Sequence, residues 1–145
     1  MQKCLQMQIL HIKPTSNTPE IILSPNENTF IIRGKSAPED VRSLYYPVTE
    51  WMKIFIDDTL EGEYKNYTAG NPVKFQIDLS YFNSSSAKFL YDIFQELKRL
   101  ISGGIPVVVD WIYEEGDTDM KEAGSDISAL AGLDFSYILK PRENR

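Results

Sequence analysis

Residues 73–90 read VKFQIDLSYFNSSSAKFL, and this stretch decides the fold. In its first part apolar and polar residues alternate, which predicts a strand with one buried face; the apolar residues are Val73, Phe75, Ile77 and Leu79. Residues 80–86 favour a turn, and from Ala87 to Ile101 the apolar residues fall on one half of a helical wheel. The change of period therefore predicts a strand, a turn and an amphipathic helix in direct succession.

The residues after this helix predict a second strand. Gly103 and Gly104 are expected to end the helix. Ile105–Tyr113, which follows, is a nearly continuous apolar run. Such a run is typical of a central strand that is covered on both faces.

The C-terminal part of the chain continues the alternation of helix and strand. Residues 114–119 are acidic and lead into a weaker helical segment that ends near Gly132. Leu133–Leu139 is the last strand candidate, because it again combines β-branched and aromatic residues.

The N-terminal part of the chain predicts a β-hairpin. Ile21–Leu23 and Phe30–Ile32 are short runs of strand-forming residues, and the residues between them favour a turn. Residues 1–17 are expected to be a loose segment, in which His11, the only histidine, lies.

A first helix is predicted after the hairpin. Ser36 stands three residues before Glu39, which is the spacing of a capping box at a helix start. Apolar residues follow at helical spacing as far as Phe55, and Pro47 is expected to kink this helix or to remove one of its bonds. Residues 57–71 have no such period and predict a surface connection.

The predicted order is ββαβαβαβ, an α/β fold with a mixed sheet, an N-terminal hairpin and about three flanking helices. Helical crossovers between parallel strands are expected to bury both faces of the sheet. Residues 18–139 are interpreted as a single domain, and residues 140–145 as a C-terminal tail.

Composition excludes several classes of function. The 145 residues include 15 basic and 21 acidic ones, for a net charge of -6, which disfavours binding to nucleic acid. Cys4 is the only cysteine, so that neither an intrachain disulfide nor a cysteine zinc site can form. No apolar run approaches the length needed to insert into a membrane, and a reducing, cytoplasmic setting is expected.

The sequence Asn83-Ser84-Ser85-Ser86 has two interpretations. In the first, one of the serines is the N-cap of the following helix. In the second, a serine is a phosphoacceptor, because the free N–H groups and the helix dipole favour a phosphate there and Lys88 lies one turn further on. The two interpretations are compatible.

Carboxylates form a second cluster, at Glu114, Glu115, Asp117, Asp119, Glu122 and Asp126. Their spacing does not match a calcium loop, so a solvated loop with Asp117 capping the next helix is the simpler interpretation. Together with Tyr81, the first four are candidates for a partner-binding rim. A metal-dependent hydrolase that uses the segment Glu114–Asp126 is the alternative.

The sequence predicts a protein that is not an enzyme and needs no cofactor or metal. A catalytic triad or dyad would depend on His11 with Cys4 or with a distant serine, and no nucleophile–base pair stands at a recognisable spacing. A constitutive scaffold and the hydrolase remain alternatives to a regulated binding protein.

Two stretches resemble the strand–turn–helix of STAS domains, the fold of anti-sigma-factor antagonists: DLSYFNSSS at residues 78–86 and GGIPVVV at residues 103–109. The chain is more closely similar to the SiaC family of regulatory phosphoproteins, over residues 18–137. Further matches to that family are TPEI at 18–21, RGKSAPE at 33–39, WIYEE at 111–115, DM at 119–120 and EAG at 122–124.

The resemblance implies a partner switch. A Ser/Thr kinase would phosphorylate the protein, a PP2C-type phosphatase would remove the phosphate, and one phosphoform would bind a downstream target, which in some members is a diguanylate cyclase. In this family the acceptor directly follows the Asn, which points to Ser84, whereas STAS antagonists place it one residue later, at Ser85. We favour Ser84, with Asn83, Ser86 and Lys88 as its surroundings.

Overall fold

A computed structural model describes residues 8–142 of the chain. The expectations for residues 1–7, which include Cys4, and for residues 143–145 lie outside this range. The strands are β1 (Leu10–Ile12), β2 (Glu20–Ser24), β3 (Thr29–Ser36), β4 (Val73–Phe82), β5 (Val107–Glu114) and β6 (Ser136–Lys140). The helices are α1 (Val41–Leu60), α2 (Ser84–Ser102) and α3 (Thr118–Ala131), and none of the described helices is long and apolar enough to cross a membrane.

The strands form one mixed sheet in the order in which they occur along the chain, so that β3 and β4 are its two central strands. β1, β2 and β3 are antiparallel, and β3 to β6 are parallel. The predicted hairpin is thus β2–β3. Strand β1 lies within the segment that was expected to be loose, where its three residues pair with Ile21–Leu23.

All three helices lie on one face of the sheet. Each parallel strand is added on the same side of the one before it, and because helical crossovers are right-handed, they all emerge on the same face. Accordingly α1 packs on α2, and α2 on α3. The core lies between these helices and the sheet and includes the fully buried Phe30, Phe75, Ile77 and Trp111.

The prediction that both faces are buried was wrong. On the face without helices, charged side chains pair across strands: Arg33 with Glu20 (2.7 Å) and Lys140 with Asp78 (2.7 Å). In β5 the apolar run conceals an alternation, since Val109 and Trp111 are buried and the residues between and beside them are only half-buried. An apolar run cannot by itself distinguish one covered face from two.

Helix α1 differs from its prediction at both ends. Its N-cap is Asp40, which accepts a hydrogen bond from the Ser43 N–H (3.2 Å), whereas Ser36 ends β3 and is fully buried. The helix passes through the exposed Pro47 and continues to Leu60, beyond the predicted end at Phe55. Tertiary packing explains the extension, because Ile56 and Thr59, in the last turns of the helix, are buried on the side that faces the core.

Helix α3 approaches β5 closely at a glycine. The indole nitrogen of Trp111 donates a hydrogen bond to the Met120 carbonyl (2.9 Å), which fixes the helix above the ring. A Cβ atom at Gly124 would lie 2.5 Å from the same indole nitrogen. The close packing of α3 therefore requires a residue without a side chain at this position.

We expect Gly124→Ala to destabilise the protein by about 1–3 kcal/mol, because the ring is fully buried and α3 must move away from it. Denaturant unfolding of this variant measures the loss. Ser125→Ala, at an exposed position of the same helix, is the control and should change stability by less than about 0.5 kcal/mol. A Gly124→Ala variant as stable as the wild type would show that α3 does not depend on this contact.

Candidate functional site at the start of helix α2

The parallel strands β3 to β6 end on the same side of the sheet, at Ser36, Phe82, Glu114 and Lys140. We call this side the carboxyl edge. The serine cluster, residues 83–86, follows β4 directly. The acidic loop, residues 115–117, follows β5. Topology thus places both clusters that were singled out from the sequence at one edge.

Asn83 organises the start of α2. Its side-chain oxygen accepts hydrogen bonds from the Ser86 N–H (2.9 Å) and the Ser85 hydroxyl (3.2 Å). Its own N–H donates to the Ser36 carbonyl (3.0 Å), which ties the start of the helix to the end of β3. The N-cap is therefore Asn83 and not a serine, since the carboxamide oxygen satisfies the N–H group that a capping hydroxyl would otherwise take.

The three serines have different surroundings. Ser84 is exposed, and its hydroxyl makes no hydrogen bond with any of residues 8–142. Ser85 is also exposed, but its hydroxyl is bound to Asn83. Ser86 is fully buried. Of the three hydroxyl groups, only that of Ser84 is both accessible and without a partner in the described chain.

Ser86 belongs to a buried hydroxyl cluster that joins three elements. Its hydroxyl lies 2.8 Å from the Ser36 hydroxyl and donates to the Ser36 carbonyl (3.2 Å). The Ser36 hydroxyl also lies 2.7 Å from the Tyr45 phenol, whose ring stacks on Phe89 at 5.7 Å. Burial raises the pKa of the Tyr45 phenol, so it stays protonated and holds its hydrogen bond. The cluster fixes the first turn of α2 against β3 and α1.

The burial of Ser86 can be inferred from the helical spacing of the sequence, although the NSSS motif does not indicate it. Ser86 falls on the apolar stripe of α2, four residues before Leu90 and seven before Ile93, and both of these leucine and isoleucine side chains are buried. Its partner Ser36 lies 50 residues earlier in the chain. The burial of one member is readable from helical spacing, whereas the contact itself is not.

The electrostatic setting of Ser84 favours a negative charge. Ser84 is the first residue of α2, and the first intrahelical bond is donated by the Ala87 N–H to the Asn83 carbonyl (3.0 Å). Of the N–H groups before it, that of Ser86 is capped by Asn83, and those of Ser84 and Ser85 point out of the helix end. Lys88 is exposed and pairs with Asp92 (3.3 Å), a weak surface pair that a stronger anion can displace.

The acidic loop does not form a metal centre within the described residues. No group of three or more His, Cys, Asp or Glu side chains in residues 8–142 converges on a common point. Asp117 caps α3 by accepting from the Met120 N–H (3.0 Å), as predicted, and Glu115 and Asp119 are exposed. His11 forms a hydrogen bond with Glu20 (2.9 Å). Glu20 lies on β2, which is four strands away from β6 in the sheet. The hydrolase alternative gains no support from this geometry.

Two exposed tyrosines lie near the ends of the elements that form the site. Tyr81 is 50% exposed, on a part of β4 that lies beyond its last pair with β5, Ile77–Trp111. Tyr46 is 62% exposed and lines an open groove of about 990 Å³ between α1 and α2. Arg42 and Lys88, at the starts of the two helices, line the same groove. The groove, which sequence reasoning did not predict, begins one turn from Ser84.

Comparisons with known proteins agree on one family. The model of the SiaC family of regulatory phosphoproteins matches residues 12–140. The uncharacterized protein PA14_02130 of Pseudomonas aeruginosa (strain UCBPP-PA14) is 28% identical over 130 residues, which are 90% of this chain and 95% of that protein.

Solved structures from the same organism are also similar. The crystal structure of apo-SiaC from Pseudomonas aeruginosa matches with a TM-score of 0.74 at 26% identity, over 92% of this chain and 99% of that one. A structure of the diguanylate cyclase SiaD in complex with its activator SiaC matches with a TM-score of 0.75, also at 26% identity and with the same coverage.

We expect Ser86→Ala to lower the free energy of unfolding by about 1–3 kcal/mol, because it leaves buried hydrogen-bonding groups of Ser36 with fewer partners. Ser85→Ala, which removes an exposed hydroxyl one residue earlier, should change it by less than about 0.5 kcal/mol. Urea unfolding of both variants measures the difference. Equal stability of the two would mean that the hydroxyl cluster does not hold the start of α2.

Proposed function

The chain belongs to the SiaC family of regulatory phosphoproteins, and we propose that it is a phosphorylation-controlled binding protein whose phosphoacceptor is Ser84. As a member of this family it is a regulatory protein and not an enzyme. The single observation that carries the choice of Ser84 is its hydroxyl, which is exposed and has no partner among residues 8–142.

The neighbouring serines are poorer acceptors for physical reasons. Phosphorylation of Ser86 would require the first turn of α2 to leave the core, since this side chain is fully buried between β3 and α1. Phosphorylation of Ser85 would break its bond to Asn83 and place a charge beside the capping oxygen. Ser84 meets neither obstacle, and its modification leaves the hydroxyl cluster below it intact.

The partners that we propose are of three kinds. A Ser/Thr protein kinase adds the phosphate, and a PP2C-type phosphatase removes it. The downstream target is a diguanylate cyclase, a proposal supported by the complex in which the similar protein SiaC is the activator of the cyclase SiaD. Tyr81 and four acidic residues between the end of β5 and the start of α3 form the partner-binding rim at the carboxyl edge: Glu114, Glu115, Asp117 and Asp119.

Electrostatics explains how one phosphate changes binding. A phosphate adds about -1.5 to -2 charges at pH 7. Inside a contact such a charge must be desolvated or paired, and a partner surface that is complementary to a neutral serine offers no group for this purpose. Because the same charge at the start of a helix is tolerated by the fold, phosphorylation changes the interface and leaves the structure unchanged.

The test compares Ser84→Glu and Ser84→Ala with Ser102→Glu, which adds the same charge at an exposed position at the other end of α2. We expect Ser84→Glu to keep or slightly raise stability, by up to about 1 kcal/mol, and Ser102→Glu to lower it by a similar amount, because the helix dipole has opposite signs at its two ends. Thermal unfolding at low salt measures both effects.

Calorimetry measures the affinity of each variant for the diguanylate cyclase of the host and so tests the proposed effect of the phosphate on binding. Ser84→Glu and Ser84→Ala should differ in affinity by at least about tenfold, which corresponds to about 1.4 kcal/mol. Ser102→Glu and Ser85→Ala should bind as the wild type does. Equal binding by all four variants would support a constitutive scaffold and contradict the proposal.

A further inference from the structure

Strand β6 leaves one edge of the sheet open. It pairs only with β5 among the described residues, so its outer backbone groups meet no other strand. Its three central residues are large and apolar, and they are exposed: Tyr137 by 36%, Ile138 by 43% and Leu139 by 57%. An edge of this kind is a template for pairing with another strand.

The opposite edge of the sheet is shorter and less apolar than β6. Strand β1 has only three residues, of which His11 is polar, and Lys13 and Pro14 follow it. Strand β6 has five residues, its register with β5 runs without a bulge from Ser136 to Lys140, and Pro141 follows it. Because a proline follows both strands, the two edges differ in length and in exposed apolar side chains, and β6 offers the longer template for pairing.

The backbone of β6 determines which residues can pair outward. The Lys140 carbonyl accepts a hydrogen bond from the Glu115 N–H (2.8 Å), so Lys140 directs its backbone groups at β5. By alternation Ile138 and Ser136 do the same. Tyr137 and Leu139 direct their N–H and carbonyl groups at the open edge.

We propose that β6 pairs with β6 of a second copy of this chain, antiparallel and centred on Ile138. In this register each Tyr137 lies opposite the Leu139 of the other copy, and each such pair exchanges two N–H···O bonds. Aromatic and aliphatic side chains directly opposite each other are favourable cross-strand pairs. The two Ile138 side chains meet at the twofold axis.

Charge complementarity supports a second copy as the occupant. Within the paired residues 136–140 this register places Lys140 of each copy opposite Ser136 of the other. Beyond the strand ends, on the far side of Pro141, Asp134 of one copy and Arg142 of the other carry opposite charges. Asp134 and Arg142 are exposed, and neither forms an ion pair within residues 8–142. No like charges face each other, so the segment from residue 134 to residue 142 is complementary to itself.

The dimer is compatible with the proposed switch and independent of it. Because the two β6 strands run in opposite directions, the carboxyl edges of the two copies point in opposite directions. Ser84, at the start of the helix that follows β4, thus stays outside the interface. The dimer joins the two six-stranded sheets edge to edge and keeps the helices of both copies on one face.

Sedimentation of the full chain tests the proposal. The wild type should show a concentration-dependent dimer, whereas Leu139→Lys, at a position whose side chain is 57% exposed, should be monomeric. Ile54→Lys is the matched control, since Ile54 is 51% exposed on α1, and it should dimerise as the wild type does. A wild type that stays monomeric, or a Leu139→Lys variant that still dimerises, would overturn the proposal.

A cysteine trap tests the register without relying on a disruptive variant. In a Cys4→Ser background, Ile138→Cys should form a covalent dimer under mild oxidation, because directly opposed residues of antiparallel strands have Cα atoms about 4.5–5.5 Å apart, within disulfide reach. Ile54→Cys in the same background measures random collision. Equal crosslinking at the two positions would contradict the proposal, and adding Ser84→Glu should change neither result.

Discussion

The site at the start of α2 depends on the hydrogen bonds of the Ser36 hydroxyl. This hydroxyl meets Ser86 of α2 at 2.8 Å and Tyr45 of α1 at 2.7 Å, and it lies at the last residue of β3. A strand end and two helices are thereby fixed to one another inside the core, where water cannot replace a lost partner. The first turn of α2 is consequently fixed on its buried side, and we expect a modification on its exposed side to leave the fold intact.

The direction in which the chain adds strands is a second constraint. Since β3 to β6 are added one after another on the same side, the helices share one face and the loops of the site share one edge. The same topology leaves the other face to charged pairs and leaves β6 with an unpaired edge. The proposed phosphorylation site and the proposed dimer edge thus lie in different parts of the sheet.

The sequence predicted those features that depend on local patterns. The change of period at residues 80–87 correctly predicted a strand followed by a helix, and Asp117 was correctly predicted as a helix cap. The turn expected at residues 80–86 was wrong, because β4 continues to Phe82 and α2 begins at Ser84, with only Asn83 between them. The features that it missed depend on distant contacts. Strand β1 exists through its pairing with β2, and Ser36 is buried by residues from α1 and α2 and does not cap a helix.

The serine cluster shows the same limit within four residues. The sequence NSSS does not show that the serine hydroxyls differ: that of Ser84 has no partner among residues 8–142, that of Ser85 is hydrogen-bonded to Asn83, and that of Ser86 is buried. Only helical spacing relative to Leu90 and Ile93 hints that Ser86 faces the core. The hydrogen bond from Ser85 to Asn83 depends on the geometry of the helix cap, which the sequence does not specify. Only the structure therefore distinguishes the accessible hydroxyl of Ser84 from that of Ser85.

Peptide mapping by tandem mass spectrometry, on the protein isolated from its host with phosphatases inhibited, identifies the phosphorylated residue. We expect one phosphate per chain, on Ser84, with Ser85 and Ser86 unmodified. Phosphate on Ser86 would contradict the hydroxyl cluster, and phosphate on Ser85 would contradict the assignment of the acceptor. A chain without phosphate on any of the three, in cells where the kinase is active, would contradict the switch.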